Sequence, residues 1–145
     1  MRCPFRNGGA ITNDYSKGHR ARDIAPRGDD NGDVFAIEGG IVTGYDDSQS
    51  GSAEDANMVV VRSLSGFLTV YAHVLPDVII GYKLALGERI GRVDESGESS
   101  GRHVHLVRLP AQGGDNDDVD NVAARQDAGQ YVTINLNAWP SGELP

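Results

Sequence analysis

The chain reads as a series of short apolar runs separated by glycine- and aspartate-rich stretches. The clearest run is MVVVRSLSGFLTVYAH, residues 58–73. Two β-branched or aromatic segments flank SLSG, which predicts a hairpin. In its second arm Phe67, Thr69, Tyr71 and His73 fall on one face and Leu68, Val70 and Ala72 on the other, because strand side chains alternate. Further short strands are predicted around 10–12, at VFAI and GIVTGY about a Gly39-Gly40 turn, twice within IIGYKLALGERIGRV, and at HVHLVRL. YVTINLNAW, 131–139, reads as a last strand. Between them lie polar stretches: 18–33, an acidic loop at 46–57, a loop at 94–102 and an acidic segment at 111–130. Within the last, a short helix over Val119–Asp127 fits the pattern.

With nineteen glycines and few helical patterns, the expected fold is all-β. We expect one domain over residues 1–145, an antiparallel sheet with little helix and long loops walling a groove. The loops 46–57 and 94–102 are the candidate walls. No run of about 18 apolar residues occurs, so no membrane span is predicted.

Composition narrows the function. The net charge of −8 argues against nucleic acid as a partner, because a phosphate backbone wants a basic surface. The single cysteine, Cys3, excludes an internal disulfide and any thiolate zinc cluster. The opening MRCPFRNGG has no apolar core, so no signal peptide is expected in this chain as written.

The chemistry points to histidine. Of four histidines in the chain, two stand together in SSGRHVHLVRLP. His103 and His105 are spaced i and i+2, so on a strand both imidazoles project from one face, about 7 Å apart. His19 and Asp23 form H-x-x-x-D, and His73 ends the FLTVYAH strand. Neutral imidazole and carboxylate are good zinc ligands. Should these groups converge, two histidines and a carboxylate leave one coordination position open, which is the pattern of a catalytic zinc site.

In this ordered set the chain resembles the lysostaphin-type (LytM-domain) zinc metallopeptidases, which cut peptide bonds of bacterial peptidoglycan. H-x-x-x-D is met by His19 and Asp23, and the Y-A-H strand end by Tyr71, Ala72 and His73. The glycine-spaced run is met by GYKLALGERIG, and S-G-x-S-(T/S)-G-x-H-x-H by SGESSGRHVH. The likeness spans about 18–109. It departs from the family pattern at Ala21 and Arg22, and at Leu106 and Val107.

The resemblance implies one Zn2+ per chain, held by His19, Asp23 and His105, with His73 and His103 as the catalytic histidines. It implies an endopeptidase of cross-bridge or stem peptides, in which a zinc-activated water attacks the amide carbonyl. No H-E-x-x-H is present, so proton transfer falls to histidine. Tyr71, Tyr15 and Arg102 are candidate substrate contacts. Arg20, Arg22 and Arg108 join Arg102 as groups that either meet substrate carboxylates or pair with neighbouring acids. Two related readings are a catalytically inactive LytM-like binding or activator module and a zinc D,D-carboxypeptidase. A lipoyl-like barrel lacks its acceptor lysine motif and leaves the histidines unexplained. A catalytic domain with neither leader nor wall-binding module would suit a phage-type lysin or virion component acting on the bacterial wall.

Overall fold

The computed structural model describes residues 1–49, 56–95 and 101–129. The strand expected at 131–139 lies outside them, as do parts of the loops 46–57 and 94–102. Among the described residues ten strands run in chain order: β1 (Gly9–Asn13), β2 (Arg22–Pro26), β3 (Asp33–Phe35), β4 (Gly40–Asp46), β5 (Met58–Ser63), β6 (Phe67–Ala72), β7 (Val74–Pro76), β8 (Lys83–Leu84), β9 (Arg89–Val93) and β10 (Val104–Pro110). A 3-10 turn, Gly114–Asp117, leads into one helix, α1 (Val119–Asp127). The strands build a seven-stranded sheet in the order β1-β2-β10-β6-β5-β4-β8 and a three-stranded sheet in the order β3-β9-β7. The pairings are antiparallel.

The predicted hairpin is β5–β6, in register from Met58↔Ala72 to Arg62↔Leu68. VFAI and GIVTGY do not pair around Gly39-Gly40. β3 joins the small sheet against β9, while β4 joins the large one between β5 and β8. The chain changes sheet there, and it does so again between β6 and β7. Gly91 makes the second sheet possible: a Cβ at this position would strike the Leu75 carbonyl across the β7–β9 pair.

Alternation divides the large sheet into two faces. Ile24, Val42, Val59, Val61, Tyr71, Val104 and Leu106 enter one core, shared with Val34, Val74 and Ile90 of the small sheet. Ala21, Val60, Leu68, Val70, Val107 and Leu109 face the other way and meet Val122 of α1. Each such side chain contributes about 1.5–3 kcal/mol when fully buried.

Over its described residues, 111–129, the acidic segment holds a 3-10 turn and the helix, and its acids have structural uses. The Asp118 carboxylate caps α1 by accepting from the Asn121 amide at 2.9 Å. Asp117 is fully buried and accepts from the Gln112 and Gly113 amides at 2.9 and 2.8 Å, with the Arg125 guanidinium at 3.3 Å. Gly44 lets the start of the helix lie on β4, since a Cβ there would come within 2.9 Å of the Val119 nitrogen. No helix among the described residues is long and apolar enough to cross a membrane.

Tyr71 gives a measurable property of the core. Its side chain is fully buried and its hydroxyl accepts from the Ile37 amide at 3.0 Å. Burial, joined by the Glu38 carboxylate, pushes the phenol far above its ordinary value. The unfolded chain releases this proton near pH 10 while the folded chain keeps it, so its contribution to stability is complete below that pH and is lost above it. We expect Tyr71→Phe to flatten the alkaline limb of the stability profile. It should also lower stability near neutral pH by about 1–3 kcal/mol, since the buried Ile37 amide loses its partner. Urea titrations between neutral and alkaline pH check both effects; an unchanged alkaline slope would contradict this role.

Candidate active site

The site is built by strand register. Asp23 on β2 stands directly opposite His105 on β10, which stands opposite Ala72 on β6, which stands opposite Met58 on β5. Side chains paired in this way lie about 4.5–5.5 Å apart at Cβ and share a face. Here it is the face that carries α1. His103 precedes β10, and His73 follows Ala72. His19 is brought in by a four-residue turn, in which the Ser16 amide donates to the His19 carbonyl at 2.8 Å and the His19 amide donates back at 3.2 Å.

The groups converge. His19 Nε2 lies 3.2 Å from Asp23 Oδ2. His105 Nδ1 lies 2.7 Å from Asp23 Oδ1. One ligand atom from each of His19, Asp23 and His105 falls within 4.8 Å of the others, and the same holds for His73, His103 and His105. The His73 and His103 ring centres are 4.8 Å apart, and those of His73 and His105 are 6.0 Å apart. All five site residues anticipated from the sequence therefore share one small volume.

Hydrogen bonds orient the rings. A carbonyl only accepts, so the ring nitrogen facing one carries the proton. His19 Nδ1–H donates to the Asp14 carbonyl at 3.2 Å, leaving Nε2 with a lone pair toward Asp23. His103 Nδ1–H donates to the Gly101 carbonyl at 2.8 Å, and its Nε2 faces Asp23 Oδ1 at 3.9 Å. Burial opposes the Asp23 charge, yet the hydrogen bond from His105 and the fields of His105, His103 and His19 outweigh it and hold the carboxyl below its ordinary value. A buried carboxylate bracketed by imidazoles is a donor set suited to zinc.

His73 corrects the strand reading. It is the one non-glycine residue with a left-handed backbone among those described, at φ 60°. Histidine tolerates this region better than most residues, though it still costs about 1–2 kcal/mol. The turn breaks the alternation that places Tyr71 and His73 on one face. Tyr71 points into the core, whereas His73 joins Val70 and Ala72 on the outer face. Tyr71 is therefore no substrate contact: it is fully buried and its hydroxyl is taken by Ile37.

From these histidines a cleft of about 310 Å³ runs over the sheet to α1. Its floor is Met58, Val70, Ala72 and Val107, and its far wall is Ala123, Gln126 and Asp127. The helix expected over Val119–Asp127 is present with those bounds, but its place as this wall was not anticipated from the sequence. The remaining candidates lie outside the lining of this cleft. Tyr15 packs against the core, and its hydroxyl accepts from Arg20 at 2.9 Å. Arg102 extends toward the Asp30 carbonyl at 3.5 Å. Arg22 pairs with Asp14 at 2.9 Å and Arg108 with Glu38 at 2.7 Å, so these two are engaged with neighbouring acids.

The profile of peptidase family M23 matches residues 17–120, which include His19, Asp23, His73, His103 and His105. Solved structures share the fold. The catalytic domain of a prophage-encoded M23 protein, EnpA, from Enterococcus faecalis superposes with a TM-score of 0.58 at 24% identity, over 90% of this chain and 88% of that one. The catalytic domain of the antimicrobial peptidase lysostaphin from Staphylococcus simulans gives 0.52 at 21% identity, over 76% and 82%. An M23 structure from Pseudomonas aeruginosa gives 0.56 at 22% identity over 73% of this chain, which spans 43% of that protein's length. At these identities the likeness is one of fold.

Proposed function

Because the chain belongs to peptidase family M23, whose members are zinc metallopeptidases, we propose that it is a zinc endopeptidase acting on peptides of bacterial peptidoglycan. The observation that carries this reading is the Asp23 carboxylate between His19 and His105, with His73 and His103 beside it at the end of a cleft. In this reading His19, Asp23 and His105 hold the metal. When bound, zinc polarises the amide carbonyl and makes hydroxide available near neutral pH. The residues around it move the protons. His103, with its Nδ1 proton fixed on Gly101, offers Nε2 to accept a proton from the attacking water. His73 faces it across 4.8 Å between ring centres and donates to the departing amine.

The cleft supports an endopeptidase. Its floor continues from the histidines across β10, β6 and β5, so a peptide can lie extended over the sheet beyond the bond that breaks. An inactive binding module is disfavoured by the presence of all five groups in converging positions. The likeness to a prophage-encoded M23 protein supports a lysin or virion role at the cell wall.

Digestion of purified peptidoglycans of several cross-link chemistries, with fragments read by mass spectrometry, tests the proposal. We expect new peptide ends in at least one wall type, lost with a chelator and restored by zinc. Intact walls from a zinc-loaded protein would overturn it.

A further inference from the structure

The geometry points to Asn57 as a positioning residue: its buried side chain ties the corner carrying His73 to the strand ends beside it, and so sets the direction of the His73 imidazole. This rests on the role given to His73 above. Asn57 immediately precedes β5 and is buried. Its carboxamide bonds to Gln49 and Asp94. Oδ1 accepts from the Gln49 amide at 2.8 Å, while Nδ2 donates to the Gln49 carbonyl at 3.0 Å and to Asp94 Oδ2 at 2.7 Å. Its own carbonyl accepts from the Val74 amide at 3.3 Å. The Asp94 amide in turn donates to the His73 carbonyl at 2.9 Å.

His73 sits where the chain leaves the large sheet, at Ala72↔Met58, and enters the small one, at Val74↔Val93. The residue itself stands between the two ladders, and its backbone is left-handed. Both peptide units around it are nevertheless held. The His73 carbonyl is bound by Asp94, the Val74 amide is bound by Asn57, and Asn57 and Asp94 are bound to each other. The closed loop of hydrogen bonds over-determines a backbone conformation that is costly on its own, which is how left-handed residues persist at functional positions. Gln49 extends the clamp to the end of the segment that follows β4.

The test compares wild type, Asn57→Asp, Asp94→Asn and the double exchange. Asn57→Asp keeps size and one acceptor but sets two carboxylates against each other at the 2.7 Å contact. We expect full zinc content, KM within about twofold, and kcat lower by roughly 10–100-fold, the scale of a catalytic group displaced by about an ångström. The His73 imidazole resonances in 1H–15N spectra should shift in the same variant. The double exchange restores the bond to residue 94 with donor and acceptor reversed, though not the one to the Gln49 carbonyl, and should recover part of the kcat and move the His73 resonances back toward wild type. An unchanged kcat with unchanged His73 resonances overturns the proposal, as does a fall in kcat matched by loss of zinc from folded protein. Should Asn57→Asp fail to fold, Asp94→Ala cuts the same bond from its half-buried side and is read by the same criteria. A wild type that cleaves no wall peptide would defeat the functional reading alone. The His73 resonances would then still decide the clamp, and their invariance across the variants would defeat it.

Discussion

His105→Ala should leave a folded protein that holds no stoichiometric zinc and cleaves peptide at least about a thousandfold more slowly. The side chain is 30% exposed and stands on the outer face of β10. Its removal therefore leaves the packing of Val104 and Leu106 on the opposite face intact. What disappears is one of three donors and the 2.7 Å bond that orients Asp23. That bond is also the largest of the causes lowering the Asp23 carboxyl. Metal analysis after dialysis, with thermal unfolding of the metal-free proteins as the control for fold, checks the prediction. Stoichiometric zinc with wild-type turnover would remove His105 from the ligand set.

The sequence made the local elements and the chemical groups legible, because both are written in short-range patterns. The β5–β6 hairpin follows from two alternating runs around SLSG, and α1 follows from a cap and two helical turns. The histidines and Asp23 were visible as types at fixed spacings, and their order in the chain carried the family likeness. What stayed hidden depends on partners far away in sequence. Periodicity marks VFAI as a strand without saying that its partner is β9 rather than β4. Alternation assumes an extended backbone, so it failed at His73, where one left-handed residue reverses the side of the sheet, and with it failed the role given to Tyr71. Asn57 carries no local signal, since its bonds to Gln49 and Asp94 span 8 and 37 residues. The arginines near the motifs were readable as charges, but the acids that engage Arg22 and Arg108 are set by packing.

His103→Ala should part from His105→Ala at the metal. His103 lies outside the group formed by His19, Asp23 and His105, its Nε2 being 3.9 Å from Asp23 Oδ1. Zinc content should therefore match wild type. Turnover should fall by about 10²–10⁴, the usual contribution of a positioned general acid or base. KM should change little, because the ring contributes to the proton transfer and the cleft floor contributes to binding. The same substitution at His73 is a poorer probe, since alanine also changes a residue whose left-handed backbone is part of the corner. At His103 the substitution breaks the bond to the Gly101 carbonyl, at the edge of the site. Zinc analysis beside kcat and KM of the same preparations gives the decisive readout. A fully active His103→Ala, or one that has lost its zinc, would return the histidine to the ligand set or to the surface. Retained zinc with lost turnover would assign the two histidines of H-x-H to different tasks, His105 to the metal and His103 to the proton.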